Sequence, residues 1–168
     1  EKKENLIKNL SRFNWDLEKL EKEKKLLIVD LNPKDIKNVA TKKSFGLKYE
    51  VVKDLKAKRI VFDSVSAYSL LFKDELENRE ANMNLLEMLR QWNCTSMLVA
   101  EYGIEDHKAS ALEFETDSTI YLYNMKKDGA RTRALEIFKM RGTEHTAKMF
   151  PLQITDKGIT IYPDQSVF

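Results

Sequence analysis

Between Lys3 and Phe13 the apolar residues Leu6, Ile7, Leu10 and Phe13 recur on one stripe of a 3.6-residue period, with lysines opposite. That period predicts an amphipathic helix. A second, shorter helix is expected over residues 16–24, opened by the acidic Asp16 and carrying Leu17 and Leu20. The unbroken run Leu26-Leu27-Ile28-Val29 reads instead as a fully buried strand, and the polar, lysine-rich stretch 31–44 with its Asn-Pro reads as a surface loop. Leu47, Val51 and Leu55, four apart, predict a short helix over 47–56.

Arg59-Ile60-Val61-Phe62-Asp63 is the sharpest local pattern, a basic lead-in and three apolar residues ending in a carboxylate. A polar helix over 74–92 follows, with Leu85, Leu86 and Leu89 on its apolar face, and then an apolar strand over 95–100 that ends in Glu101. Alternating strands and helices define an α/β body, whose ligand chemistry gathers at the carboxyl ends of the strands. Beyond residue 118 the character changes. The runs 119–123 and 133–138 flank Lys126-Lys127-Asp128-Gly129, and 152–154 and 159–162 flank Thr155-Asp156-Lys157-Gly158, which predicts two β-hairpins appended to the α/β body.

Composition narrows the class. In 168 residues, 29 Lys+Arg face 27 Asp+Glu, a net charge of +2, and 42% of residues are hydrophobic. A chain of this size buries about 70% of its unfolded surface, so an ordinary core needs no staples. The single Cys94 excludes an internal disulfide and any zinc site built on several cysteines. No apolar run approaches the roughly 18 residues of a membrane span, and the charged start Glu1 to Lys8 is unlike a signal peptide, so the chain reads as cytoplasmic with no membrane partner. Near-balanced charge makes no global case for nucleic acid. The five glycines stand isolated, whereas a phosphate-cradling loop needs several close together so that backbone N–H groups wrap the anion.

Four groups of residues carry candidate chemistry. Asp63 at a strand end suits a magnesium-bound water beside a nucleotide, or else it is an ordinary strand-end carboxylate capping the next turn through Ser64 and Ser66. In an extended chain Lys139, Arg141, Thr143 and His145 fall on one side, two cations with a hydroxyl and an imidazole, as a polyphosphate requires; the commoner pattern for such spacing is a solvated strand end with Gly142 as a bulge. Phe13 and Trp15 at a helix end border a base or, as is more common, pack a helix on a sheet. His107, with no Cys or second His nearby, makes a poor metal ligand, and Cys94 reads as a core residue.

Taken in order, Phe13-Asn14-Trp15-Asp16-Leu17, Lys25 to Asp30, Arg59 to Val65, Cys94 to Glu101, Lys139 to His145 and Ile154 to Ile159 resemble the KaiC-like ATPases of the RecA superfamily over nearly the whole chain. The most specific stretch is Phe138 to His145 followed by Pro151 to Pro163. The resemblance implies a RecA-like P-loop NTPase core, α/β with a mostly parallel sheet and C-terminal antiparallel hairpins, with residues 1–168 as a single ATPase domain. It implies ATP and Mg2+ as ligands and a homo-oligomeric, hexameric ring, with signal transduction as the expected setting.

By the same resemblance Glu1 is the second of two acids that polarise the attacking water, Asp63 is the Walker B acid and magnesium ligand, and Glu101 ends the strand beside it. Lys139, Arg141 and His145, with Met140 and Thr143 between them, are expected to reach the phosphates held by a neighbouring subunit. Arg12, Phe13, Trp15, Thr155 and Asp156 are expected around base and ribose. Two departures stand out. The first strand, the P-loop and the first helix of the family have no counterpart here, so the domain is expected to be N-terminally incomplete. Glu113 and Phe114 occupy the positions where the clock protein's autophosphorylating domain carries Ser and Thr, so self-phosphorylation is not expected there. The alternative function is a non-catalytic RecA-like module that docks on a P-loop ATPase and supplies Lys139 and Arg141 across the interface.

Overall fold

The computed structural model describes residues 2–30, 52–101, 111–127 and 129–167. The chain divides into two compact units, one formed by Glu1–Lys3 with Leu17–Leu112 and the other by Glu4–Asp16 with Glu113–Phe168. Chain order runs α1 (Lys3–Ser11), α2 (Leu17–Lys22), β1 (Arg59–Asp63), α3 (Val65–Ser69), α4 (Glu75–Gln91), β2 (Thr95–Val99), α5 (Ala111–Glu115), β3 (Ser118–Lys127), β4 (Ala130–Met140), β5 (Met149–Thr155) and β6 (Gly158–Ile161). The fold is α/β, with a parallel pair β1-β2 and an antiparallel sheet β3-β4-β5-β6.

In the first unit the core is one helix on one sheet face. α4 starts where Asp74 accepts the N–H of Glu77 at 2.7 Å, and Glu77 in turn accepts the N–H of Lys73 at 3.1 Å, so donors of the first turn and its lead-in are satisfied by side chains. Ala81, Leu85, Met88 and Leu89 then bury one stripe of the helix with Val65, Tyr68 and Leu112, against Ile60, Phe62 and Leu98 of the strands. Tyr68 is fully buried edge-on to Phe62 and Phe72, and its hydroxyl donates to the Ala81 carbonyl at 2.8 Å. Burial pushes its pKa well above the usual tyrosine value.

β1 and β2 pair with Arg59 opposite Thr95 and Asp63 opposite Val99, which puts Val61 and Met97 on the face away from α4, 64% and 61% exposed. The three apolar residues of β1 are therefore covered on one face only. Cys94, just before β2, is half-buried, and its thiol donates to the carbonyl of Ala57 at 2.9 Å.

The buried strand expected over 26–29 does not form. Residues 26–30 carry no regular structure, and Leu27 and Val29 are exposed. A strand exists only where a neighbour takes its backbone groups, and among the described residues no strand pairs here. The Ile28 N–H donates instead to Glu21 Oε1 at 3.0 Å, and Lys3 pairs with the same carboxylate at 2.8 Å. The lysine, first, and the backbone donor, second, hold the Glu21 carboxyl below the usual glutamate range. Of the helix expected over 47–56, residues 52–54 are helical and Leu47 to Val51 lie outside the described residues, as do the loop 31–44 and His107.

The second unit is built on long hairpins. β3 and β4 pair in register from Lys127 opposite Ala130 to Thr119 opposite Lys139, with a bulge at Thr119/Ile120. Gly129 has φ +81°, which only glycine takes without strain. Tyr121 lies against Tyr123 and Phe138, ring centroids 5.9 and 5.2 Å away, and the Tyr123 hydroxyl donates to Glu136 at 2.6 Å. Ala134 and Leu152 are buried, β5 pairs antiparallel with β4 with Pro151 opposite Ala134, and β6 closes the second hairpin with Gly158 opposite Thr155.

Candidate functional site

The acids of the first unit stand where the alternation of strands and helices predicts them. Asp63 ends β1, and Glu101 lies two residues beyond the end of β2, on the same carboxyl edge. The helix after β1 is capped by Ser64, whose Oγ accepts the N–H of Ala67 at 3.3 Å. Ser66 Oγ accepts the N–H of Glu101 at 2.7 Å and donates to the carbonyl of the same residue at 3.1 Å. That one hydroxyl fastens the chain after β2 to the first turn after β1. The turn is thus held by serines, and the exposed side-chain carboxylate of Asp63 has no hydrogen bond or ion pair among the described residues. The plain capping role for Asp63 is not what the fold uses.

The cations of the second unit are held differently from the extended row that the spacing suggests. Only Lys139 and Met140 belong to β4; the chain turns at Arg141-Gly142, where Gly142 has φ +68°, and the Thr143 N–H returns to the Met140 carbonyl at 3.4 Å. Thr143 and His145 therefore lie in an exposed loop, His145 Nδ1 being 3.2 Å from the Thr143 carbonyl. Lys139 and Arg141 converge on the C-terminal turn of α5. Lys139 Nζ donates to the carbonyl of Glu113 and, at 3.5 Å, to that of Phe114; Arg141 Nη2 donates to the Phe114 carbonyl at 2.8 Å.

Nη1 of Arg141 is 3.7 Å from Asp117 Oδ1, and the Arg141 N–H donates to the Asp117 carbonyl at 2.9 Å. A five-residue helix is too short to persist alone, and its last carbonyls have no helical partners. Two cations on those carbonyls satisfy them and complement the helix dipole, an effect of about 0.3–1 kcal/mol per charge at an exposed end. The exposed Asp117 pair adds little to stability.

The remaining described residues are each held within their own local element. Arg12 and Phe13 follow α1, whose last turn is completed by Phe13, Asn14 and Trp15 N–H groups bonding the Leu10 and Ser11 carbonyls. Trp15 is 57% exposed, so it does not serve as packing between helix and sheet. Thr155 spends its hydroxyl inside its own hairpin, donating to the Gly158 carbonyl at 3.1 Å and accepting the Lys157 N–H at 3.2 Å, while Asp156 is exposed at the tip. Glu1 lies outside the described residues. Among the described residues no three His, Cys, Asp or Glu side chains gather as a metal cage. A magnesium ion bound with a nucleotide needs no such cage, since one carboxylate, the phosphates and waters complete its shell, and the unpaired Asp63 fits that requirement. Two features escaped sequence reasoning, the Ser66 fastening and the α5 carbonyls under the cations. A backbone carbonyl has no letter, so the only available signal was the helix-forming stretch Ala111 to Glu115.

A parallel β-pair with acids on its carboxyl edge, a helix packed on its face and antiparallel hairpins appended define a RecA-like α/β protein. The family described as "ATPase: KaiC" matches residues 1–166, and the chain belongs to this KaiC-like family of ATPases. It is 33% identical over 173 residues to a UPF0273 protein of Aeropyrum pernix, covering 95% of this chain and 69% of that one. It is 31% identical over 176 residues to the circadian clock oscillator protein KaiC of Synechococcus elongatus, of which it covers 32%. The crystal structure of a KaiC-like protein from Pyrococcus horikoshii superposes with a TM-score of 0.82 at 33% identity, over 97% of this chain and 72% of that one. Among the described residues no helix is long and apolar enough to cross a membrane.

Proposed function

We propose that this chain carries the Walker B edge and the trans-acting cations of an ATP hydrolase working as a homo-oligomeric, hexameric ring, in a signalling setting like that of its clock-protein relative. The observation that carries the reading is the convergence of Lys139 and Arg141, whose charged groups share the Phe114 carbonyl. Two cations brought together repel, and a fold keeps them adjacent at a cost that a polyphosphate offsets. Asp63 would hold Mg2+, with Glu101 beside it, and the ion would neutralise charge on the phosphates. Glu1 would polarise the attacking water. Lys139 and Arg141 would then meet phosphate oxygens bound by the next subunit, with Met140, Thr143 and His145 bordering them. Arg12, Phe13 and the exposed Trp15 would face a base, and Thr155 and Asp156 the ribose.

The phosphate cradle would come from a glycine-rich P-loop segment, in the same polypeptide or in a partner. Support for such a neighbour comes from the uncovered apolar face of β1-β2 at Val61 and Met97. Mixing variants separates the two readings. If the acids act within a subunit and the cations between subunits, Asp63→Asn and Arg141→Ala proteins, each inactive, regain activity when co-assembled, because some interfaces pair an intact acid with an intact cation. A co-assembled mixture as inactive as its parents removes the trans assignment. A protein that only stimulates a separate P-loop ATPase, and loses that effect in Arg141→Ala, is the docking module instead.

A further inference from the structure

We propose that the last turn of α5 and the carboxylate of Asp117 are the positioning element for the Lys139–Arg141 pair, and that Asp117 is a positioning residue for Arg141. This rests on the ATPase reading above. The backbone comes first. The Asp117 carbonyl accepts the Arg141 N–H, and the β3-β4 ladder begins at once with Ser118 opposite Met140 and Thr119 opposite Lys139. The exit of α5 and the end of β4 are therefore a single registered corner. Upon it, the Phe114 carbonyl takes a hydrogen bond from each cation, the Glu113 carbonyl takes a second from Lys139, and Asp117 faces the remaining amino group of Arg141.

Donor counting shows what such a hold leaves free. An ammonium has three N–H donors and a guanidinium five. With two of Lys139 engaged and two of Arg141 turned to Phe114 and Asp117, one N–H of Lys139 and three of Arg141 have no partner among the described residues and stay available for an anion. Neutral carbonyls orient the cations without cancelling their charge. The carboxylate paired with Arg141, Asp117, is 92% exposed and 3.7 Å away, close enough to aim a guanidinium and too solvated to neutralise it. Long side chains that would otherwise sample many rotamers are thus ordered before any phosphate arrives, which lowers the entropic cost of using them.

The test has two arms. In steady-state ATP hydrolysis by the natural assembly, Asp117→Ala should lower kcat about tenfold to a hundredfold, the effect of a slightly misplaced group, while KM for ATP stays within about twofold. Asp117→Glu should recover most of the loss. An unchanged kcat in Asp117→Ala, or a raised KM with kcat intact, overturns the proposal. The second arm needs no activity: in a Lys139→Met, Arg141→Met double variant, amide hydrogen exchange over residues 113–116 should quicken about tenfold while the β3-β4 amides keep their protection. Unaltered exchange there means that α5 does not hold the cations, and the proposal falls. Quickened exchange in the double variant, when the natural protein hydrolyses no ATP, removes the ATPase reading and upholds the coupling of α5 to the cations.

Discussion

The two units present their charged groups by opposite means. In the first, Asp63 and Glu101 sit on short side chains at the ends of paired strands, where the backbone does the placing and Ser66 ties the two ends together. In the second, Lys139 and Arg141 sit on long side chains at and just past the end of a strand, and helix carbonyls do the placing. A short acid inherits its position from the sheet. A long cation has to be given one, and the structure provides it with five residues of helix whose own end the cations complete. Acid and cation are in this sense unequal partners, one fixed by topology and the other by contacts.

Removing a cation breaks this contrast most sharply. Arg141→Ala should lower the ATPase rate by about 10³-fold while nucleotide affinity holds, as for other transition-state arginines; Asp63→Asn, inactive at ordinary Mg2+, should instead regain part of its rate as Mg2+ is raised, read from a magnesium titration at saturating ATP. Next in size is affinity. The 168-residue polypeptide, with no clustered glycines, should bind ATP no tighter than about 1 mM, and a micromolar constant by calorimetry would contradict this.

Within the first unit the two sheet faces should respond unequally. Leu85→Ala, which empties a fully buried site under α4, should destabilise by about 2–5 kcal/mol in urea unfolding, whereas Met97→Ala on the uncovered face should change stability by under about 0.5 kcal/mol. Tyr68→Phe removes the hydrogen bond to Ala81 and should cost about 1 kcal/mol. Because the Tyr68 pKa is raised in the folded protein, the unfolded chain loses that proton first, so stability should fall as pH climbs past 10, and less so in the Phe variant. The smallest effect lies at acid pH. Glu21 is held below its ordinary value of 4.5, so its contribution is present above that pH and is lost as pH falls through the lowered folded value; Glu21→Gln should remove this slope, amounting to about 1 kcal/mol or less.

The contrast also separates what was legible in the chain from what was not. α4 was readable almost to the residue, because an Asp cap, a 3.6-residue stripe and an unbroken polar face agree with one another. Leu26 to Val29 looked as strand-like as Ile60 to Phe62, yet only the latter paired. Apolar runs advertise willingness to form a strand, and hydrogen-bonding partners grant it.

By itself the order of residues determined the α/β character, the two hairpins at their Asp-Gly and Lys-Gly turns, and the placing of Asp63 at a strand end, since each follows from local periodicity and turn chemistry. It also marked Lys139 and Arg141 as a pair. Tertiary structure alone decided that the chain turns at Gly142, so that Thr143 and His145 leave the row, and that Lys139 and Arg141 converge on the carbonyls of Glu113 and Phe114, some 25 residues earlier. The reason is physical: period and turn propensity act over a few residues, whereas the partner of a long side chain is whichever unsatisfied group the folded backbone brings within reach.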